Sequence, residues 1–296
     1  MAARWLDLVD PSRDELLSSL PTHVDPDVVE ALAAPAEERP RAFLEGHGAY
    51  VFGVLVSFLP LPEEDRLVGR EIGIVATAEL LVTVRKTPSG GEPWDPAPLH
   101  ATEGASVGQL VHRLVDDVAG CFLDVVDAAD DEIDELEDHI EDWPSARVRR
   151  RLSSLRHELI HARRAVGATR SAVRRVVDRT LDVSSDTLFP DHVERQFADT
   201  YDTLVRAAEE LDVARELLSS SRDYHQSLIA ENQNEVVKRL TVIASVLLLP
   251  TLIVGFYGQN FVGAFNDPYW RVGVSLALIV FSTILQLAFY RWRRWI

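Results

Sequence analysis

The chain holds one cysteine, Cys121, in 296 residues, so no intrachain disulfide and no cysteine-built metal cluster can form. That suits a reducing cytosol for the bulk of the chain. No Gly-rich phosphate loop occurs, and nothing supports coupling to ATP. Positive charge is scarce: 30 Lys and Arg against 47 Asp and Glu leave a formal charge of -17. Such a balance argues against nucleic acid as a partner and fits an acidic body that attracts divalent cations. The opening residues, Met1-Ala2-Ala3-Arg4-Trp5-Leu6-Asp7, lack the apolar core of a signal peptide.

Charge itself is missing in two places. No Asp, Glu, Lys or Arg occurs from Leu240 to Asn266, nor from Val272 to Tyr290. A span needs roughly 20 apolar residues to cross the bilayer core, so each stretch can cross once and the lipid bilayer is an expected partner. Lys238 and Arg239 precede the first; Arg291, Arg293 and Arg294 follow the second. Positive flanks stay inside. The expectation is a multi-pass protein of the inner membrane with both termini cytoplasmic and the 261–271 loop outside.

The remainder predicts a water-exposed α/β body followed by helices. Arg4–Val9 reads as a strand, and Pro11-Ser12-Arg13-Asp14-Glu15 as a helix start. Ala49–Leu59 and Ile72–Arg85 read as buried strands, the second as a hairpin. Thr87–Pro98, with four prolines and two glycines, reads as a loop. Val107–Trp143 predicts a long helix crowded with Asp and Glu from Asp124 to Asp142. Ser145–Leu181 predicts a second, crowded with Arg from Arg147 to Arg179. Antiparallel packing would pair those charges; two solvated faces that merely complement each other fit equally. Val183–Phe189 is a break, Pro190 opens the next helix, and no turn cluster interrupts it before about Tyr257. Pro250 falls inside the span, where neighbouring helices can repair the lost hydrogen bond.

Two spans cannot enclose a water-filled path, so conduction requires several copies. Asn234, Val237, Thr241, Ala244, Leu248 and Thr251 recur at three- and four-residue spacing on one helical face. Rings of Asn and Thr could contact a hydrated ion, and rings of Val and Leu could close by dewetting. A simple helix–helix seam uses the same small and hydroxylated residues. Beyond the span, Tyr257-Gly258-Gln259-Asn260-Phe261 places carbonyls and a carboxamide at a membrane mouth, which are oxygen ligands for a hard cation.

These segments carry a resemblance. Asn234–Ser245 followed by Pro250–Phe261 resembles the pore helix of the CorA family of divalent cation channels. Arg291-Trp292-Arg293-Arg294-Trp295-Ile296 is similar to that family's basic tail, Trp5–Pro11 to its opening strand, and Asp127–Leu136 to its acidic helix. The resemblance implies an α+β membrane protein. It would have a cytosolic α/β domain (1–105), a helical hairpin (106–189), a stalk helix (190–239) and two transmembrane helices (240–296), assembled as a funnel-shaped homopentamer. Gly258, Gln259 and Asn260 would form the selectivity mouth. Asn234, Val237, Leu240, Thr241, Ala244, Leu248 and Thr251 would line the pore. Asp199 would be a regulatory metal ligand sensing intracellular Mg²⁺. The implied cargo is Mg²⁺, with Co²⁺ and Ni²⁺. Gln259 stands where the family's usual triplet has Met, a position its zinc-transporting branch also varies. Proton-coupled Zn²⁺ transport is therefore the nearest alternative, and a non-conducting sensor or scaffold another. The 262–270 loop lacks the family's Met-Pro-Glu-Leu element. His157-Glu158-Leu159-Ile160-His161 matches the HExxH spacing of zinc proteases, but Arg156, Arg163 and Arg164 surround it and no third ligand is evident. The expectation is no enzyme.

Overall fold

The computed structural model describes residues 3–37, 39–61, 66–100, 104–183, 188–258 and 268–295. It divides into two compact units, Met1–Arg222 and Asp223–Ile296.

The first unit is built on a five-stranded sheet of β1 (Arg4–Val9), β2 (Phe43–Gly46), β3 (Val51–Leu61), β4 (Arg66–Ala76) and β5 (Leu80–Arg85), ordered β1-β5-β4-β3-β2. β1 runs parallel to β5 and the other pairs are antiparallel. The Ile72–Arg85 hairpin is there, turning between Ala76 and Leu80. Both sheet faces are covered, which is why the strands read as continuous apolar runs rather than alternating ones. Val75, Val82 and Val84 meet Leu16, Val28, Val29 and Leu32 of α1 (Arg13–Ser19) and α2 (Pro26–Ala33). On the other face Ser57 Oγ donates to Cys121 Sγ of α4 (Val107–His139) at 3.3 Å.

Local signals set the helix starts. Ser12 and Glu15 form a reciprocal capping box on α1, and Ser106 with Gln109 a second on α4. Asp25 caps α2 ahead of Pro26 in its first turn, a start the sequence reading passed over. It also passed over β2, four residues long, and the short α3 (Ala97–His100) that begins at the end of the Pro-rich loop. A Cβ on Gly108 would lie 2.0 Å from the Leu188 carbonyl oxygen, so only glycine lets the 188–190 segment close on α4.

α4 stops at His139, short of the expected Trp143, because Asp142 and Trp143 turn back and donate to the His139 carbonyl. Arg147 then stacks over the Trp143 ring at 3.8 Å. α5 (Ser145–Val177) ends before Leu181 in a Schellman arrangement: Arg179 N donates to Val176 O, Thr180 N to Arg175 O, and Arg179 takes the left-handed φ of +53°. Its guanidinium bonds Glu194 and Asp191 in the first turn of the following helix. The expected acidic–basic pairing is represented by Arg151–Glu132 at 3.0 Å between α5 and α4.

Two ion pairs pin the sheet, one buried and one partly buried. Lys86 meets Glu71 at 2.6 Å with both side chains about 5 % exposed or less, and its ammonium also donates to Ala31 O. Arg85 of β5 meets Asp7 of β1 at 2.6 Å.

α6 runs unbroken from Asp191 to Gly258, with Pro250 inside it. Pro190 supplies the first accepted carbonyl, so the helix proper opens one residue later than expected. The C-terminal part of α6 and α7 (Pro268–Trp292) make up the second unit. α6 and α7 are each long and apolar enough to cross a membrane, and the apolar window of each is almost wholly exposed in the chain. A soluble core helix would be buried. This surface needs lipid or other copies of the chain to cover it.

Candidate functional site

The face proposed from spacing lies on α6. At about 100° per residue, Asn234, Val237, Leu240, Thr241, Ala244, Leu248 and Thr251 occupy an arc of roughly 120°. Every one of the seven is exposed. The facing arc differs: Val242 is buried, and Ser245, Val246, Leu249, Pro250, Ile253 and Tyr257 are partly covered. The complementary stripe on α7 is Ser275, Ile279, Ser282, Thr283, Gln286 and Tyr290, and Gln286 Nε2 donates to Ser245 O at 3.3 Å. α7 thus takes one side of α6 and leaves the Asn/Thr side open. α7 meets α6 along a seam at Ser245, and the Asn/Thr face has no partner among the described residues.

The hydroxyls on the open face are already committed as donors. Thr241 Oγ1 donates to Val237 O at 2.8 Å and Thr251 Oγ1 to Leu247 O at 2.7 Å. Each oxygen keeps lone pairs directed outward. Hydroxyl oxygens that present only acceptor lone pairs suit the hydrogens of water around a cation.

Gln286 is a residue the sequence reading missed. Its signal was an amide in the middle of an uncharged run. It donates one residue before Val246, whose carbonyl loses its usual helical donor to Pro250. The Gln286 Oε1 is buried and has no partner among the described residues.

Of the expected mouth, Gly258 closes α6 in open space; Gln259 and Asn260 lie outside the described residues, as does most of the 261–271 loop.

Asp199 is exposed on α6. Thr200 beside it donates to Asp116 at 2.9 Å and bonds His112 Nε2 at 3.1 Å. Burial holds the His112 imidazole below its usual value, outweighing the opposing pull of Asp116 and Asp199. Among the described residues, no three His, Cys, Asp or Glu converge to hold a metal. Asp199 belongs to no such cluster among the described residues.

The same holds for the HExxH spacing. His157 Nδ1 is engaged with Ser153 O at 2.6 Å. Burial pushes the Glu158 carboxyl up, with Arg151 pulling it back. Among the described residues no third His, Cys, Asp or Glu joins the set.

Comparison with known proteins bears on the whole chain. The family model described as CorA-like Mg²⁺ transporter protein matches residues 2–291. The cobalt/magnesium transport protein CorA of Thermotoga maritima is 23 % identical, covering 83 % of this chain and 70 % of its own length. That of Methanocaldococcus jannaschii is 24 % identical, covering 99 % and 91 %. The complete structure of the Methanocaldococcus jannaschii CorA magnesium transporter superposes with a TM-score of 0.81 at 21 % identity, over 99 % of this chain and 91 % of that one. An α/β body, a long helix and two C-terminal apolar helices are therefore a shared architecture.

Proposed function

The chain belongs to the CorA-like Mg²⁺ transporter family, and on that premise we propose that it is a channel passing divalent cations across the inner membrane, Mg²⁺ first, with Co²⁺ and Ni²⁺ accepted. Several copies, five by the family resemblance, set their α6 helices around a common axis. The 120° arc from Asn234 to Thr251 faces that axis, and α7 faces lipid. The observation that carries this is the open, uncharged face of α6, whose hydroxyls present only acceptor oxygens.

The residues divide the work. Gly258 carbonyls and the Asn260 carboxamide hold a cation through its water at the outer mouth. This suits Mg²⁺, which dehydrates reluctantly. Thr251, Thr241 and Asn234 pass the hydrated ion along. Leu248, Leu240 and Val237 make apolar rings that close by dewetting. Asp199 supplies one ligand to an intracellular Mg²⁺ shared with a neighbouring copy, which holds the closed state. An inside-negative potential favours entry by about 2.3 kcal/mol per elementary charge per 100 mV, so no nucleotide hydrolysis is required. Both termini lie in the cytoplasm.

The test is uptake into proteoliposomes loaded with an ion-sensitive dye, Mg²⁺ against Zn²⁺, with and without a proton gradient. Mg²⁺ flux indifferent to the gradient and abolished by Asn260→Ala supports the proposal. Zn²⁺ flux that rises with the gradient, or Mg²⁺ flux unchanged by Asn260→Ala, overturns it.

A further inference from the structure

The histidines of the HExxH spacing face a cavity of about 1700 Å³ between α5, residues 36–37 and 39–45, and the outer half of the β3–β4 hairpin. Arg150, His157, His161, Arg164 and Arg175 line it from α5, at the three- and four-residue spacing that forms one helical stripe. Arg39 and Arg41 line it from the opposing segment, with Phe43, Val56 and Phe58 among its apolar walls.

The charge of this cavity runs against that of the chain. Against a net -17, the described residues that line it include five arginines and three glutamates, Glu37, Glu45 and Glu158. Glu158 is half-buried toward Arg151, and burial favours its neutral form. Arg175 is engaged with the Leu44 carbonyl at 3.0 Å. Among the described residues, Arg39, Arg41, Arg150 and Arg164 enter no ion pair. Burial first, and then Arg39, Arg164 and His157, hold the His161 imidazole below its usual value. A cluster that repels a metal dication selects an anion instead.

We propose that this cavity binds a small molecule carrying a polyphosphate, of the nucleoside triphosphate class. Guanidinium groups match phosphate oxygens in bidentate fashion. From His157 to Arg164 the helix rises about 10 Å, a row of donors suited to a chain of phosphates rather than to one. Phe43 and Phe58 offer an apolar wall for a base. The cavity exceeds the roughly 300–1,000 Å³ that small ligands occupy, so the ligand fills its arginine-rich end. This inference concerns the first unit alone and stands apart from the transport reading; its test reads binding and not flux.

Full-length protein in detergent, with EDTA to remove divalent cations, is titrated calorimetrically with ATP and with inorganic tripolyphosphate. Both are expected to bind, ATP more tightly. Arg39→Gln with Arg164→Gln, which removes two charges at nearly constant size, is expected to weaken both at least tenfold. Arg206→Gln, an exposed arginine of α6 outside the cavity, is expected to change neither. Melting temperature without ligand checks that each variant is folded, and a ligand-induced rise in wild type gives a second reading of binding. Absence of saturable binding to either probe overturns the proposal, as does binding that the double variant leaves unchanged. Loss of the oligomer in the double variant with no nucleotide binding in wild type also overturns it, and assigns the cavity to an acidic surface of a second copy.

Discussion

Gln286 of α7 donates its amide to the backbone carbonyl of Ser245 on α6 at 3.3 Å, beside the carbonyl that Pro250 deprives of its helical donor. A side chain from one span thus supports the backbone of the other where the ladder is weakest. Interhelical hydrogen bonds within membranes average about 0.6 kcal/mol and reach about 1.7. Gln286→Leu is expected to lower stability by an amount in that range, partly offset because the unpaired Oε1 leaves too. Gln286→Glu places a carboxylate in the seam and is expected to cost about 2.5 kcal/mol or more at neutral pH. Thermal unfolding in detergent, read for both variants, checks the order; equal losses would remove the hydrogen bond as the cause.

Asp199 stands exposed and joins no cluster of three His, Cys, Asp or Glu among the described residues. If it closes the channel through a shared Mg²⁺, Asp199→Ala leaves the open-state flux intact and shifts closure to at least severalfold higher internal Mg²⁺. Uptake measured at graded internal Mg²⁺ reads this directly. Unchanged closure would strip Asp199 of a sensing role.

Lys86 and Glu71 are both nearly inaccessible, 2.6 Å apart. Lys86→Met strands a buried carboxylate, at an expected cost of about 3–5 kcal/mol. Adding Glu71→Leu is expected to recover most of it, less the bonds from Lys86 to Ala31 O and from the Glu37 amide to Glu71. Urea unfolding followed by tryptophan fluorescence compares the single and double variants.

Glu132 lies half-buried with Arg151 at 3.0 Å and Glu158 and Glu135 near, and its carboxyl is pushed up to about 7 by burial first and those carboxylates second. A carboxyl raised in the folded state binds more protons there than when unfolded. Stability therefore falls as pH rises from about 4.5 to about 7 and levels off above. Glu132→Gln is expected to flatten that part of the curve, while the wild type melts lower at pH 8 than at pH 5 on this account. Melting curves of both proteins across that range decide it.

Much of this architecture is readable from residue order. Ser12 and Glu15, and Ser106 and Gln109, announce helix starts three residues apart, and local chemistry alone makes them. The open arc of α6 follows from helical periodicity. What escapes is what depends on distant packing. β2 is too short to show an alternation. Gln286 is visible as an oddity, but its partner Ser245 is 41 positions away. Arg39 and Arg164 meet at one cavity only because residues 39–45 line it opposite α5. Helix ends were overrun at Trp143 and Leu181 because turns there are closed by backbone bonds and by a left-handed Arg179, where a glycine would have flagged the stop.

The arc on α6 also makes the helix sensitive to reading phase. One residue inserted after Ala244 turns everything beyond it by about 100°. Leu248 then takes the azimuth of Leu249, on the side that α7 covers, and the Gln286 contact at Ser245 is displaced with it. Seven inserted residues bring the azimuth back to within about 20° but lengthen the span by about two turns, so the face is restored at the wrong depth. The face of α6 is thus written in both angle and height.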